Sequence, residues 1–221
     1  MKKQIKSKER VIGRGEVFTS EREVNAMLDM VKHETERIDS RFLEPACGTG
    51  NFLIEILKRK MSVVKKMYQK NIFDYERYAV LCITSIYGVD IMEDNVEECR
   101  ERLFNKWDEE YTRIAKKQAN DKCREVIKFI LKKNILCGDA LTMLQNDGNP
   151  IVFAEWSFVT KNMIKRRDFE LNQLLMAAKK QTTLFMTGWN YNKETQTFIP
   201  SPIKEHPLTD YMRKYELFIS I

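Results

Sequence analysis

The sequence predicts an α/β fold in which a mostly parallel central sheet is covered by helices on both faces. Three observations lead there. Short apolar segments (RFLEPA, YGVDI, ILCGDA and IVFAEWSF) are separated by stretches whose apolar residues recur at helical spacing. The first of them runs into a glycine turn, FLEPACGTGNF at residues 42–52, that opens a helical pattern. Neither an internal repeat nor a low-complexity linker interrupts the alternation. Strands that alternate with helices need crossover connections, which set the strands parallel and bury both faces of the sheet.

Taken in order, the start is basic. Residues 1–14 carry six Lys or Arg against one Glu, whereas residues 15–150 balance to −2 and residues 151–221 to +3. Residues 1–12 are expected to be a flexible basic arm, either a solvated tail or a contact to a phosphate backbone. Residues 13–221 are expected to form one domain. Thr19 or Ser20 can cap a helix over 19–34, with Val24, Met27, Leu28 and Val31 on one face. RFLEPA is a strand entering the glycine turn, and 51–68 is an amphipathic helix. Helices follow over 74–85 and 92–104, on either side of the strand YGVDI. The second is rich in early acid, as the helix dipole favours. Residues 105–134 read as a long, charged helical insertion. ILCGDA and IVFAEWSF are two further strands, and 179–199 suggests a strand and a hairpin turning near Asn192.

Composition narrows the function classes. A 221-residue chain with 43% hydrophobic and 32% charged residues is an ordinary globular protein. No apolar run approaches the ~18 residues of a membrane span, and no apolar stretch follows the basic start, so a cytoplasmic protein without membrane contact is expected. The five cysteines contain no C-x-x-C pair and the two histidines lie far apart, so no metal site is expected.

In such a sheet ligands bind beyond the carboxyl ends of the strands. The Gly48-Thr49-Gly50 turn lies there, where a missing Cβ lets backbone approach a ligand and free amides open the next helix. A dinucleotide fingerprint would need a third glycine, but Leu53 occupies its place, and Asp90 is too distant to be the ribose acid of that motif. There is no phosphate loop ending in Gly-Lys-Ser/Thr either. S-adenosylmethionine fits better. Glu44 can reach the loop amides or the cofactor ammonium, Asp90 both ribose hydroxyls, Ile91 the adenine face and Asp139 the adenine amine. One acid at a strand tip more often caps a helix; three at consecutive tips around a glycine turn make a pocket.

GEVFTSEREVNAML, FLEPACGTGNF, YGVDI and ILCGDAL, in that order, resemble the N6-adenine DNA methyltransferases of restriction–modification systems. The resemblance covers residues 13–141 and implies a Rossmann-like methyltransferase domain that uses S-adenosylmethionine. It implies that Phe18 and Thr19 help hold the methionine part. It further implies roles for Glu44, Ala46, Gly48 and Gly50 in the glycine turn, and for Asp90, Ile91, Asp139 and Ala140 in the ribose and adenine motifs. It also implies DNA as substrate, with the target base flipped out of the stack.

Two departures stand out. The family's catalytic Asn/Asp-Pro-Pro-Tyr/Phe is absent, and Glu155-Trp156-Ser157-Phe158 stands at the corresponding strand end. There Glu155 can accept from the incoming amine and Phe158 can stack on the base, or the tetrapeptide is purely structural. No separate target-recognition domain is evident, and the cluster Lys161, Lys165, Arg166, Arg167 either meets phosphates or is a solvated helix end. Three readings follow: a DNA adenine-N6 methyltransferase, a non-catalytic cofactor-binding subunit whose partner supplies recognition or chemistry, or a methyltransferase for another substrate.

Overall fold

The computed structural model describes residues 6–14, 16–178, 189–192, 197–213 and 215–220. The chain divides into two compact units, residues 1–137 and 138–221.

The first unit carries the parallel sheet. Strands β1 (Phe42–Glu44), β2 (Ile86–Asp90) and β3 (Ile135–Cys137) lie in that order, all parallel, with Leu43 opposite Tyr87 and Asp90 opposite Cys137. Consecutive side chains of β2 point to opposite faces, yet Ile86, Tyr87 and Val89 are all buried, so both faces are covered. The sheet is smaller than expected.

Helix α1 (Lys8–Arg14) forms where the flexible arm was expected to end. Helix α2 (Glu21–Asp29) starts with a capping box: Ser20 accepts from the Glu23 amide, and the Glu23 carboxylate accepts from the Ser20 amide. The helix expected over 19–34 breaks after Asp29, and a single turn, α3 (Lys32–Thr35), follows. Only Val24 and Leu28 of its expected apolar face are buried; Met27 and Val31 are exposed.

Helix α4 (Asn51–Tyr68) buries Leu53, Ile56, Leu57, Met61 and Val64 at helical spacing. Each such side chain contributes about 1.5–3 kcal/mol when fully buried. Lys60 sits among them with no solvent exposure. Its ammonium donates to the carbonyls of Ile38 and Ser40 and to Ser85 Oγ, using all three protons. Desolvation pulls its pKa down to about 8.

Helix α5 (Ile72–Thr84) precedes β2. Helix α6 (Glu93–Ala115) then runs through the join expected at 104–105, so the first half of the supposed insertion is continuous with it. Its buried Val96, Cys99, Leu103, Trp107 and Tyr111 recur every three or four residues, which explains the continuity. The helix stops where Lys116 adopts φ 51, and α7 (Asp121–Asn134) follows under an Asn120 cap.

The second unit is built differently. Strand β4 (Val152–Thr160) does not extend the parallel sheet; it pairs antiparallel with β5 (Met163–Glu170). Two short strands, β8 (Lys204–Glu205) and β9 (Thr209–Asp210), also pair with β5. Between β5 and β8 in sequence come α8 (Leu171–Ala178) and the antiparallel pair β6 (Trp189–Asn192) and β7 (Thr197–Pro200), the two arms of the expected hairpin. The turn of that hairpin, and the strand expected just before it, lie outside the described residues. A last helix, α9 (Tyr215–Ser220), follows. Buried Arg166 and Asp168 form two hydrogen bonds at 2.7 and 2.8 Å, and His206 Nε2 lies 2.9 Å from Asp168 Oδ2. No described helix is long and apolar enough to cross a membrane.

Candidate functional site

The glycine turn is fastened to β2 at two points. The Cys47 amide donates to the Val89 carbonyl at 2.8 Å, and the Gly48 amide donates to Asp90 Oδ2 at 2.9 Å. The Gly50 amide donates to the Cys47 carbonyl, closing the turn on itself. Gly48 and Gly50 have φ of 51° and 87°, where a Cβ is strained. Space excludes one as well: it would stand 2.9 Å from the Phe18 ring at Gly48 and 2.6 Å from Cys99 Sγ at Gly50. The Cys99 thiol and burial push the Cys47 thiol well above its ordinary pKa, so it stays protonated and is no nucleophile.

Helix α4 begins directly at Gly50 without a side-chain cap, which leaves its first amides and the positive end of its dipole free to meet a carboxylate. Glu44 Oε1 accepts from the Ala46 amide at 3.3 Å, and burial raises the Glu44 pKa. Arg102 grips the turn from α6, donating to the Thr49 carbonyl at 2.5 Å, to Thr49 Oγ1 at 2.7 Å and to Asn51 Oδ1 at 3.1 Å.

The segment before α2 lies on this turn. The Phe18 ring abuts Gly48, and Asn51 Nδ2 donates to the Thr19 carbonyl at 2.9 Å. A cavity of about 500 Å³ opens here, lined by Val17, Phe18, Thr19, Glu23, Ala26 and Met27. It flanks the turn on the α2 side; neither Gly48 nor Asp90 lines it.

Asp90 ends β2 and accepts three hydrogen bonds: from Gly48 on Oδ2, and from the Met92 amide (2.9 Å) and Asn95 Nδ2 (3.2 Å) on Oδ1. A carboxylate offers about four lone-pair sites. One remains, on Oδ2 of the acid expected to hold the ribose hydroxyls. Ile91, next along, is 39% exposed.

The first unit therefore brings together Phe18, Thr19, Glu44, Ala46, Gly48, Gly50, Asp90 and Ile91. Asp139 and Ala140 follow β3 at the start of the second unit, where Asp139 Oδ1 accepts from the Leu141 amide and caps a local turn. That is the structural role a lone strand-tip acid often has.

The tetrapeptide at 155–158 departs from expectation. It lies inside β4, not beyond its end, and Glu155 pairs with Arg167 of β5 at 2.5 Å. Glu155 and Phe158 are three residues apart on a strand of period two, so they point to opposite faces and do not close on one base. Phe158 meets Tyr211 edge to face at 5.8 Å. The basic cluster belongs to β5 and its turn, not to a helix end: Lys165 pairs with Glu205, Arg166 with Asp168 and Arg167 with Glu155.

Residues that sequence reasoning missed contact Asp90 and the glycine turn. Asn95 is 1% exposed, five residues after it on α6. The sole signal was an uncharged amide in the acidic run MEDNVEE. Arg102 and Cys99 gave none.

Comparison with known proteins agrees with this geometry. Residues 25–128 match the RMKL-like methyltransferase-domain family, which takes in the glycine turn, β2 and most of α7. A protein of Methanocaldococcus jannaschii, named "Putative type II restriction enzyme and methyltransferase", is 31% identical over 104 residues. That alignment covers 46% of this chain and 8% of the relative, so the chain matches a small part of a much longer protein. No solved structure matches. Residues 25–128, just under half of the chain, thus resemble a methyltransferase domain, and one relative carries the name of a restriction enzyme and methyltransferase.

Proposed function

We propose that this chain binds S-adenosylmethionine on the glycine turn and serves methylation of adenine N6 in DNA, in a restriction–modification type system. The Gly48–Asp90 hydrogen bond carries the cofactor reading, because it draws a Cβ-free backbone and a ribose-binding acid to one point. The residues fit the group. The uncapped start of α4 suits the methionine carboxylate, the remaining Oδ2 site a ribose hydroxyl, and exposed Ile91 the adenine. When bound, the cofactor supplies an electrophilic methyl group. The chain's own part is to fix its orientation and bring it near its acceptor.

Adenine N6 is a weak nucleophile, and its protons must be accepted as it attacks. Because Glu155 and Phe158 face opposite ways in β4, we assign the contacts to the target base to a partner chain. The test is tritium transfer from labelled cofactor to DNA, by the chain alone and with the chain encoded beside it. Transfer only in the mixture, unchanged by Glu155→Ala, supports this reading. Transfer by the chain alone that Glu155→Ala abolishes would return catalysis to Glu155. Transfer to RNA or protein but not DNA would overturn the DNA assignment.

A further inference from the structure

Asp90 does not stand alone. Asn95 Nδ2 donates both to Asp90 Oδ1 at 3.2 Å and to Glu16 Oε1 at 2.6 Å, so a single buried amide joins two carboxylates. Arg10 closes the group from α1. Its Nη2 donates to Glu16 Oε1 at 2.7 Å and to Asn95 Oδ1 at 3.3 Å, and its Nε lies 2.7 Å from Glu16 Oε2. Arg10 Nη1 also reaches Asp94 Oδ2 at 2.7 Å, and the guanidinium there holds the Asp94 carboxyl down to about 2. Lys6 pairs with Asp94 and Glu98 nearby.

These contacts tie together three parts of the proposed site. Glu16 stands two residues before Phe18, whose ring abuts Gly48. Gly48 is itself held by Asp90. The path Glu16–Asn95–Asp90–Gly48–Phe18 is a closed loop of contacts that returns to the segment where it began. An amide suits the central place, since it donates to two carboxylates while its oxygen takes the guanidinium; neither a carboxylate nor an alkyl group can do both. A buried group joined on all sides has few alternative positions, so the loop fixes where the Asp90 carboxylate points.

We propose that Asn95 is a positioning residue for the cofactor site, and that Arg10 and Glu16 act through it to hold the Phe18 segment and Asp90 in binding geometry. The basic N-terminal segment is thus part of the cofactor site's framework. The proposal rests on the cofactor reading above.

The test uses the full chain with calorimetric titration of S-adenosylhomocysteine. Asn95→Ala, Glu16→Ala and the double variant form a cycle, with urea denaturation run in parallel. Each single change is expected to weaken binding by about tenfold, and the double change by little more than either. Asn95→Asp, which sets a third carboxylate between two others, should bind worse than Asn95→Ala despite its shape. Should Asn95→Ala fail to fold, Glu16→Ala and Arg10→Ala, at the outer end of the path, carry the test by the same tenfold loss. Folded variants that bind like the parent, or effects that multiply in the double variant, overturn the positioning role. A parent that binds no S-adenosylhomocysteine overturns the cofactor reading instead.

Discussion

The Gly48 amide and the Asp90 carboxylate, 42 residues apart in sequence, meet at 2.9 Å. The bond fixes the carboxyl end of β2 to the turn that leaves β1. Under the proposed cofactor reading Asp90 has two tasks: anchoring the turn and presenting its remaining oxygen site to the ligand.

Asp90→Asn should impair both tasks. An amide carries one acceptor oxygen instead of two, so either Gly48 or the Met92–Asn95 pair would face a donor. Loss of a charged acceptor costs about 1.5–3 kcal/mol, and cofactor affinity should fall by about that much. Calorimetry with S-adenosylhomocysteine checks it, beside circular dichroism to show that the fold survives. An unchanged affinity would separate Asp90 from the ligand.

The single open site on Asp90 has its own consequence. Two ribose hydroxyls cannot both be accepted there, so 2′-deoxy and 3′-deoxy analogues of S-adenosylhomocysteine should differ. One should lose about tenfold or more in affinity and the other much less, following the value of one charged hydrogen bond. Equal losses from the two analogues would mean that Asp90 releases one of its protein partners on binding.

Much of the first unit was legible in the sequence, for reasons particular residues make plain. Thr19 or Ser20 as a cap announced the start of α2, and the glycine turn announced the junction of β1 and α4. The break after Asp29 was hidden, because Met27 and Val31 continue the apolar pattern although both are solvent-exposed. The unity of α6 was hidden too, since its abundant charge masked the buried line from Val96 to Tyr111. In the second unit, β4 read correctly as a strand. Its antiparallel partner was missed because Lys165, Arg166 and Arg167 looked like a solvated surface, whereas cross-strand acids pair with two of them. Spacing cannot reveal a partner that arrives from another strand. Asn95 was illegible for the same reason: its importance lies in Glu16 and Asp90, which only the fold brings to it.

Lys60 predicts a pH dependence. Its pKa is lowered by desolvation to about 8 in the folded chain, against 10.5 ordinarily. Between those values the unfolded chain binds more protons, so stability rises with pH across that window. Below pH 8 both states are protonated and the burial penalty, on the order of 3 kcal/mol, is fully present. Urea denaturation at intervals from pH 7.5 to 10.5 should show a rise in the parent that Lys60→Met lacks. Parallel profiles for the two would refute the depressed pKa.

DNA binding by this chain alone should be weak, sensitive to salt and almost blind to sequence. Lys6 and Arg10 are engaged with Asp94, and Lys165, Arg166 and Arg167 with Glu205, Asp168 and Glu155. Five basic residues of the two clusters that could meet phosphates are thus already held by acids, and phosphate contacts carry no sequence information. Titration of labelled duplexes of several sequences at two salt concentrations checks this. Tight binding to one sequence that persists at high salt would mean that this chain reads the target itself.

The most direct measurement is calorimetric titration of the purified full chain with S-adenosylmethionine, S-adenosylhomocysteine and NAD in parallel. Saturable binding of the first two at one site per chain, with none for NAD, is the expected result. Absence of heat with both sulfur cofactors at high concentration, or binding of NAD in their place, would contradict the assignment of the Gly48–Asp90 site.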